Sequence, residues 1–351
     1  MDGRFLEKNQ NTGIENYTIE VLNSLSKEKN LNLVYVSQKE SISKSLNYKN
    51  YLEKNRFLKH LYSFLWFFFF SHRIVNKLKI DFYFGCQGFL PLFLNKKIKK
   101  VLTVYDLTFK LQPKTMRLKS LLIHSIFLKY NIFMADFVVT ISKSVANDLM
   151  KLFSIKSIVS YPFLTSNFKS YNKKNISKKI LSLVSKEKYL FTVSTIEPRK
   201  NLEFFLDIFN NLTRNNTISL SFVIAGKLGW NYNKVLNLIN CNNKIIYLGY
   251  INDDEKKFLM KNCLLFTFPS LYEGFGIPII EAQSFNKPLL LKRTPISIEA
   301  SNNKAYFYDD SKSLSNLLSN YTDIKTIKRS SFAPKYKSIR AYKNIFLKDV
   351  Y

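Results

Sequence analysis

The sequence is short of cysteine and histidine. Its 351 residues include three cysteines and three histidines. The cysteines (Cys86, Cys241 and Cys263) lack the spacing of a disulfide framework, so we expect free thiols in a reducing cytoplasm. The histidines lie in aromatic-rich helical segments without metal-ligand spacing, which favours structural roles over a metal site.

Acidic residues are scarce as well. There are 25 Asp and Glu residues against 54 Lys and Arg residues, and the formal net charge is +29. Such a charge favours polyanionic partners. No recognisable nucleic-acid motif accompanies it, and the lysines are spread through the chain. We therefore expect an anionic membrane surface as a partner, and no nucleic acid.

Long hydrophobic runs are missing too. The aromatic run at residues 61–70 is too short to span a bilayer. Basic residues surround it, namely Arg56, Lys59, Arg73 and Lys77. Two interpretations stay open: a basic, aromatic helix that docks on a membrane interface, or a buried helix of the first domain. Part of its surface must be core in either case.

The most informative segment is residues 269–282, with the sequence PSLYEGFGIPIIEA. The apolar run before it, residues 263–268, is typical of a buried parallel strand. Pro278 suits the first turn of a helix, where its missing N–H costs nothing. These features place Glu273 at the carboxyl end of a strand and Glu281 early in the following helix.

Two glycines separate these carboxylates. Gly274 and Gly276 leave backbone N–H groups available at a helix N-terminus, which favours an anion. Together with the two carboxylates, this pattern suits a ligand that carries both phosphate and hydroxyl groups, such as a nucleotide sugar. The alternative is an ordinary strand-to-helix turn, but such a turn does not need both glycines and both carboxylates.

A second segment supports the first. Residues 189–193 are strand-like, and residues 202–209 have the apolar spacing of a helix. Arg199 and Lys200 lie between them, where a planar guanidinium and a compact ammonium can neutralise a pyrophosphate. Glu197 is expected to orient these cations. An Arg-Lys pair on a solvated surface is the alternative.

These two motifs resemble those of the family 4 retaining glycosyltransferases, whose hallmark is a Glu, seven residues and a second Glu. The resemblance extends over most of the chain. It implies that Glu273 contacts the donor sugar, that Glu281 holds the ribose hydroxyls, and that Arg199 and Lys200 bind the donor phosphate. The loop expected to line the donor consists of Gly274, Phe275, Gly276 and Ile277.

The same resemblance implies three further site residues, for which the sequence signals are weaker. Gly13 lies in a family loop near the donor phosphate, although Glu15 replaces the usual second glycine. Asp106 could position a hydroxyl in catalysis, although Tyr105 replaces the usual histidine before it, and a turn-capping role for Asp106 is an equal alternative. Tyr250 lies in a loop that packs against the nucleotide base.

The alternation of strands and helices predicts an α/β fold with two doubly wound Rossmann-like domains and an interdomain cleft. The resemblance implies that this is the GT-B architecture. We expect an acceptor-side domain at 1–168, a nucleotide-sugar-binding domain at 169–332, and a C-terminal helix at 333–351 that crosses back to the first domain. Residues 1–6 resemble the loop after the family's first strand, and the strand itself is missing. A misassigned start is the favoured explanation.

The implied reaction is retaining transfer of a hexose by front-face attack, with GDP-mannose as the favoured donor. GDP-fucose, UDP-glucose and UDP-galactose stay open. The expected acceptor is a lipid-linked oligosaccharide of O-antigen, lipopolysaccharide or capsule synthesis, at the inner face of the cytoplasmic membrane. No cofactor or metal is expected, and the pair Asp253-Asp254 is interpreted as helix-capping. The alternatives are a hydrolysing nucleotide-sugar epimerase and, with less support, a nucleic-acid-binding protein.

Overall fold

The computed structural model describes residues 1–4, 13–39, 49–165, 168–325, 327 and 335–348. Its strands are β1 (Val34–Ser37), β2 (Lys49–Leu52), β3 (Phe82–Gly85), β4 (Lys99–Val104), β5 (Phe137–Thr140), β6 (Ile158–Val159), β7 (Tyr189–Val193), β8 (Ser221–Ala225), β9 (Ile245–Tyr247), β10 (Leu265–Phe268), β11 (Leu289–Lys292) and β12 (Tyr306–Tyr308).

Its α-helices are α1 (Gly13–Leu25), α2 (Arg56–His60), α3 (Ser63–Phe69), α4 (His72–Val75), α5 (Thr108–Leu111), α6 (Leu118–Ile123), α7 (Lys129–Met134), α8 (Lys143–Phe153), α9 (Lys178–Lys186), α10 (Leu202–Arg214), α11 (Asn233–Asn240), α12 (Asp253–Asn262), α13 (Ile277–Ser284), α14 (Pro295–Ala300), α15 (Ser311–Ser319) and α16 (Lys335–Lys348). A π-helical segment, His124–Leu128, connects α6 to α7. Within the described part of the chain, no helix has the length and hydropathy needed to cross a membrane.

The chain forms two compact units. Unit 1 consists of Met1–Leu107, Lys119–Phe163 and Ala333–Tyr351, and unit 2 of Thr108–Leu118 and Leu164–Phe332. The division after Phe163 lies a few residues before the expected boundary at 168. Residues 108–118 group with unit 2, which the sequence analysis did not anticipate. The start of the expected last helix, at residues 333–334, lies outside the described residues.

Unit 1 is built on parallel strands. Strands β3, β4, β5 and β6 form one sheet in that order, and β1 pairs with β2 in another. The strand β4 is central, and Val101, Leu102 and Val104 are fully buried, as expected of a parallel strand covered on both faces. Helix α16 belongs to this unit, where the Tyr342 hydroxyl lies 2.9 Å from Thr103 Oγ1.

The first residues of unit 1 pair with β1. The Val36 amide donates to the Met1 carbonyl (3.0 Å), and the Gly3 amide donates to the Val36 carbonyl (2.9 Å). Asp2 and Val36 form a parallel bridge, and Asp2 is buried beside Arg4, with which it makes an ion pair of 2.8 Å. The sequence predicts a loop here, so the extended pairing of the first three residues is a correction. Residues 5–6 of that expected loop lie outside the described residues.

The aromatic run at residues 61–70 forms helix α3 and its flanks. Trp66, Phe67 and Phe68 are at most 2% exposed, and the Trp66 indole donates to a Glu53 carboxylate oxygen at 2.8 Å. Tyr62 is exposed at one end of the run. The buried-helix interpretation therefore describes the centre of this run.

Unit 2 has a six-stranded parallel sheet in the order β12-β11-β10-β7-β8-β9. Phe205 and Phe209 of α10 pack on Phe222 of β8, with ring centroids 5.1 and 5.4 Å apart. This strand order is the doubly wound one, and the order reverses between β7 and β10. Ligands of such sheets bind beyond the carboxyl ends of the strands at this reversal. The expected parallel α/β fold class is confirmed in both units.

Candidate donor-binding site

The loops that follow β7 and β10 meet at this reversal. A 3₁₀ turn, Pro198–Lys200, follows β7, and Asn201 adopts a left-handed conformation (φ 55°) before α10 begins. The Leu271 amide, in the loop after β10, donates to the Arg199 carbonyl at 2.9 Å. The loop backbones are thus joined, and both predicted motifs lie at one edge of the sheet.

The side chains of the two motifs form one ion-pair cluster. Glu273 accepts from Arg199 Nη1 at 2.6 Å and from Lys200 Nζ at 2.5 Å. Arg199 Nη2 donates to Glu197 at 2.8 Å, so Glu197 orients the guanidinium as expected. Arg199 Nη1 also donates to the Tyr272 carbonyl at 2.9 Å. The four charged side chains are each at most 17% exposed.

The two cations dominate the electrostatics of Glu273. Burial raises the pKa of a carboxyl group, but the charges of Lys200 and Arg199, with the hydrogen bond from Lys200, lower the pKa of Glu273 to about 2. Glu273 is therefore ionised at neutral pH. The resemblance implies that the cations bind phosphate and that Glu273 contacts sugar. The ion pairs between these groups are not evident from the sequence.

Helix α13 begins directly after this cluster. Gly276 caps it with φ 87°, a conformation that side chains with Cβ rarely adopt, and Pro278 lies in the first turn. Gly274, Phe275 and Gly276 are buried, and Ile277 is the first helical residue. The first N–H groups of a helix favour anions, so this chain segment adds positive potential beside Glu273.

Glu281 lies on α13 and is 5% exposed. Lys256 of α12 donates to its carboxylate at 2.8 Å and lies 3.4 Å from Asp253. Burial lowers the pKa of a lysine, but Glu281 and Asp253 outweigh it and raise the pKa of Lys256. The sequence analysis missed Lys256, because its only local signal is an i,i+3 pair with Asp253 on the same helix.

Tyr250 follows β9 in unit 2, as expected for a residue of the base-side loop. Its ring is 57% exposed, and Lys227 Nζ lies 4.7 Å from the ring centroid. The Lys227 ammonium thus makes a cation–π contact with this exposed ring. Gly249 before it has φ 69° and no atom within 4 Å of an added Cβ.

Gly13 and Asp106 belong to unit 1. Gly13 is the exposed first residue of α1, and Asp106 is half-buried after β4. The preceding residues of the expected Gly13 loop, 11–12, lie outside the described residues. Tyr105 points into unit 1: its hydroxyl donates to the Cys86 carbonyl at 2.5 Å and lies 3.1 Å from Thr18 Oγ1. Tyr105 is therefore a core side chain of unit 1.

Asp253 and Asp254 begin α12, where Asn252 and Glu255 form a capping box. Asp254 accepts from the Asn175 side chain at 2.7 Å. Among the described residues, no three His, Cys, Asp or Glu side chains are grouped so as to hold a metal ion.

Most of unit 2 matches a known protein family. Residues 173–323, which include both motifs, match the family model described as glycosyl transferases group 1. The match covers less than half of the chain. It confirms the resemblance to a group 1 glycosyltransferase for these residues.

Curated relatives include enzymes of O-antigen synthesis. O-antigen chain mannosyltransferase B of Escherichia coli is 32% identical over 105 residues, which are 29% of this chain and 28% of that protein. O-antigen chain mannosyltransferase RfbU of Salmonella typhimurium is 25% identical over 235 residues, 66% of this chain and 62% of that protein. The chain thus spans less than two thirds of these relatives.

Solved structures share the fold. The Anabaena protein Alr3699/HepE, crystallised with UDP and glucose, has a TM-score of 0.65 and 15% identity, covering 90% of this chain and 88% of that one. WaaG, a glycosyltransferase of lipopolysaccharide biosynthesis, has a TM-score of 0.62 and 12% identity, covering 97% of this chain and 94% of that one. At these identities the likeness concerns the fold alone.

Proposed function

We propose that this protein is a retaining hexosyltransferase that uses a nucleotide sugar. The observation that supports it best is the cluster of Glu273, Arg199 and Lys200 at the strand-order reversal of a unit that matches the group 1 glycosyl transferases. Neutral small molecules do not need two buried cations. A ligand with a pyrophosphate and sugar hydroxyls needs both the cations and the carboxylate.

Donor binding exchanges ion pairs in this proposal. The pyrophosphate takes over hydrogen bonds that Arg199 and Lys200 now make with Glu273, and Glu273 turns its freed oxygens to the sugar hydroxyls. The two cations and the start of α13 then stabilise the charge that develops on the leaving phosphate. Glu281, which is paired with Lys256, accepts hydrogen bonds from the ribose hydroxyls. The loop around Tyr250 packs against the base.

The chemical step is front-face attack on the sugar, with the donor phosphate assisting deprotonation of the acceptor hydroxyl. In this proposal Asp106 positions a hydroxyl group in catalysis, and Gly13 lies near the donor phosphate. No metal ion is required, because Arg199 and Lys200 already supply two positive charges to the pyrophosphate.

GDP-mannose is the favoured donor, and the O-antigen mannosyltransferases among the relatives support it. UDP-galactose is the first competitor, since a UDP-Gal:α-D-GlcNAc-diphosphoundecaprenol α-1,3-galactosyltransferase of Escherichia coli is 34% identical over 128 residues. A lipid-linked oligosaccharide of O-antigen, lipopolysaccharide or capsule synthesis is the proposed acceptor. The protein then works in the cytoplasm at the inner membrane surface.

A donor panel tests this function. GDP-mannose, GDP-fucose, UDP-glucose and UDP-galactose are each incubated with a lipid-diphosphate saccharide, and the released nucleotide is measured. We expect acceptor-dependent release from one donor, an axial product linkage by NMR for GDP-mannose, and no turnover in Glu273→Gln. Glu203→Gln is the matched control, since Glu203 is an exposed carboxylate paired with Lys234 in the same unit.

Two outcomes would contradict the proposal. Nucleotide release that does not depend on any acceptor, with an epimerised sugar, would indicate a hydrolysing epimerase. Turnover that is equal in Glu273→Gln and the native protein would remove the assigned site.

A further inference from the structure

The helical stretch at residues 118–134 is apolar on both faces. One face packs in the core. The ring centroid of Phe127 lies 4.3 Å from that of Phe68 and 5.2 Å from that of Phe64. Leu128 and Ile132 are buried. A helix that is apolar all round is normally buried all round. This one is not.

The other face carries a row of large apolar side chains in solvent. Leu122, Ile126, Tyr130 and Phe133 are 52, 60, 46 and 56% exposed. Their spacing of four, four and three positions places them along one side of the helix. We refer to these four residues as the apolar ridge. Scattered exposed apolar residues are ordinary, but a continuous row marks an interaction surface.

The surroundings of the ridge are basic. No Asp or Glu occurs from residue 107 to residue 135. Lys119 and Lys129 are exposed on α6 and α7, at helical spacing from the ridge residues. Lys119 Nζ donates to the hydroxyl of Tyr62 at 3.2 Å, and Tyr62 is itself 59% exposed. Apolar, aromatic and cationic side chains therefore share one surface.

We propose that the apolar ridge is the surface by which unit 1 docks on an anionic lipid bilayer. Leu122, Ile126 and Phe133 enter the boundary between headgroups and acyl chains, and Tyr130 lies at headgroup depth, where amphipathic rings partition. Lys119 and Lys129 reach the anionic headgroups with their ammonium groups. This docking surface replaces residues 61–70, whose centre is core.

The shape of the ridge favours a bilayer over a protein partner. The ridge is one helix wide, and four side chains about half exposed offer only a few hundred Å² of apolar area, against about 800 Å² per partner in a standard protein interface. A bilayer accepts a convex ridge without a complementary groove. The inference rests on the proposed function only in that a lipid-linked acceptor would make such docking useful.

Cosedimentation of the full chain with vesicles tests the proposal. Vesicles of phosphatidylglycerol and phosphatidylcholine are compared with vesicles of phosphatidylcholine alone. The ridge variant is Leu122→Ser/Ile126→Ser. The control is Leu181→Ser/Leu264→Ser, which removes two leucines of unit 2 that are 41 and 40% exposed. Thermal melting of each variant shows that it is folded.

We expect the native protein and the control to bind the anionic vesicles. The ridge variant should bind about tenfold more weakly, because one inserted leucine and one inserted isoleucine are lost. Lys119→Glu/Lys129→Glu should remove the preference for anionic vesicles. A tryptophan placed by Ile126→Trp should shift its emission to the blue when vesicles are added.

Equal vesicle binding by the ridge variant and the control, or an Ile126→Trp emission that does not change, would overturn the proposal. A concentration-dependent dimer that the ridge variant abolishes would also overturn it, since a second copy would then cover the ridge. Donor turnover with a short-chain, water-soluble acceptor is measured in parallel. If the native protein shows no turnover with this acceptor, the proposed function is contradicted, but the vesicle-binding result is unaffected.

Discussion

Glu273 has two properties that are seldom found in one residue, because it is largely buried and yet charged. Arg199 and Lys200 make this possible, because they lower the pKa of Glu273 from 4.5 to about 2. A group whose folded-state pKa is depressed stabilises the fold above its unfolded pKa. That stability is lost as the pH falls from the unfolded pKa to the folded one.

This linkage predicts a pH effect that one substitution removes. Between pH 6 and pH 3, the native protein should lose about 2 kcal/mol more unfolding free energy than Glu273→Gln, since the glutamine cannot titrate. Urea unfolding at several pH values measures the difference. The same pH dependence in both proteins would mean that Glu273 is not held by the cations.

Lys256 gives a second prediction at the scale of single residues. Lys256→Met leaves Glu281 buried without its ion-pair partner and should cost about 2–3 kcal/mol of unfolding free energy. Lys257→Met, which removes a neighbouring lysine that donates to the Ser170 carbonyl, should cost less than about 0.5 kcal/mol. Adding Glu281→Gln to Lys256→Met should recover most of the loss. Equal denaturation midpoints for the two single variants would contradict the pairing of Lys256 with Glu281.

At the scale of elements, the site depends on how closely the strand ends approach one another. The Gly226 amide, just after β8, donates to the Gly249 carbonyl at 2.7 Å. A Cβ on Gly226 would lie 1.8 Å from the Ser194 carbonyl oxygen, in the loop after β7. Only glycine fits between these loops, so Gly226 fixes the backbone that leads to Arg199.

Gly226→Ala should therefore cost about 3 kcal/mol or more and displace the loop after β7. Gly249→Ala is the matched control. Its backbone also has positive φ, but nothing lies within 4 Å of the added Cβ, so only the backbone strain of about 1 kcal/mol is expected. Thermal melting compares the two variants. Equal losses of stability in the two variants would show that Gly226 is not in close contact with the loop after β7.

The elements around the site were largely predictable from the sequence. The apolar runs at β7 and β10 and the proline of α13 predicted the right element types, because buried parallel strands and helix starts have strong local signals. The extended pairing of Met1 to Gly3 was not predictable. It depends on a partner strand more than thirty residues away, which no local pattern of these residues indicates.

Across the whole molecule, the sequence motifs predicted which charged residues lie in the candidate site, but not which of them form ion pairs. Glu273 and Arg199 are far apart in the chain, and only the strand order of the unit 2 sheet brings their loops together. The same holds for Lys256 and Glu281. Residues 61–70 were ambiguous, since burial of Trp66 and Phe68 depends on contacts with distant segments that composition does not reveal.

The fold also predicts how the reaction responds to metal removal. In the proposed donor site, Arg199 and Lys200 provide the positive charge for a pyrophosphate. Donor turnover should therefore persist in excess chelator. The assay is run with and without added magnesium. A complete loss that magnesium restores would contradict a donor site built on these two cations.

In the proposed function, the cations that pair with Glu273 in this structure are the ones that bind the donor pyrophosphate. Calorimetric titration of Glu273→Gln with the nucleoside diphosphate tests this role, with the free nucleoside as the matched ligand. Since the substitution frees two charge-assisted hydrogen bonds, we expect the diphosphate to bind about tenfold more tightly than it binds the native protein, and binding of the nucleoside to be unchanged. Unchanged or weaker binding of the diphosphate would contradict it.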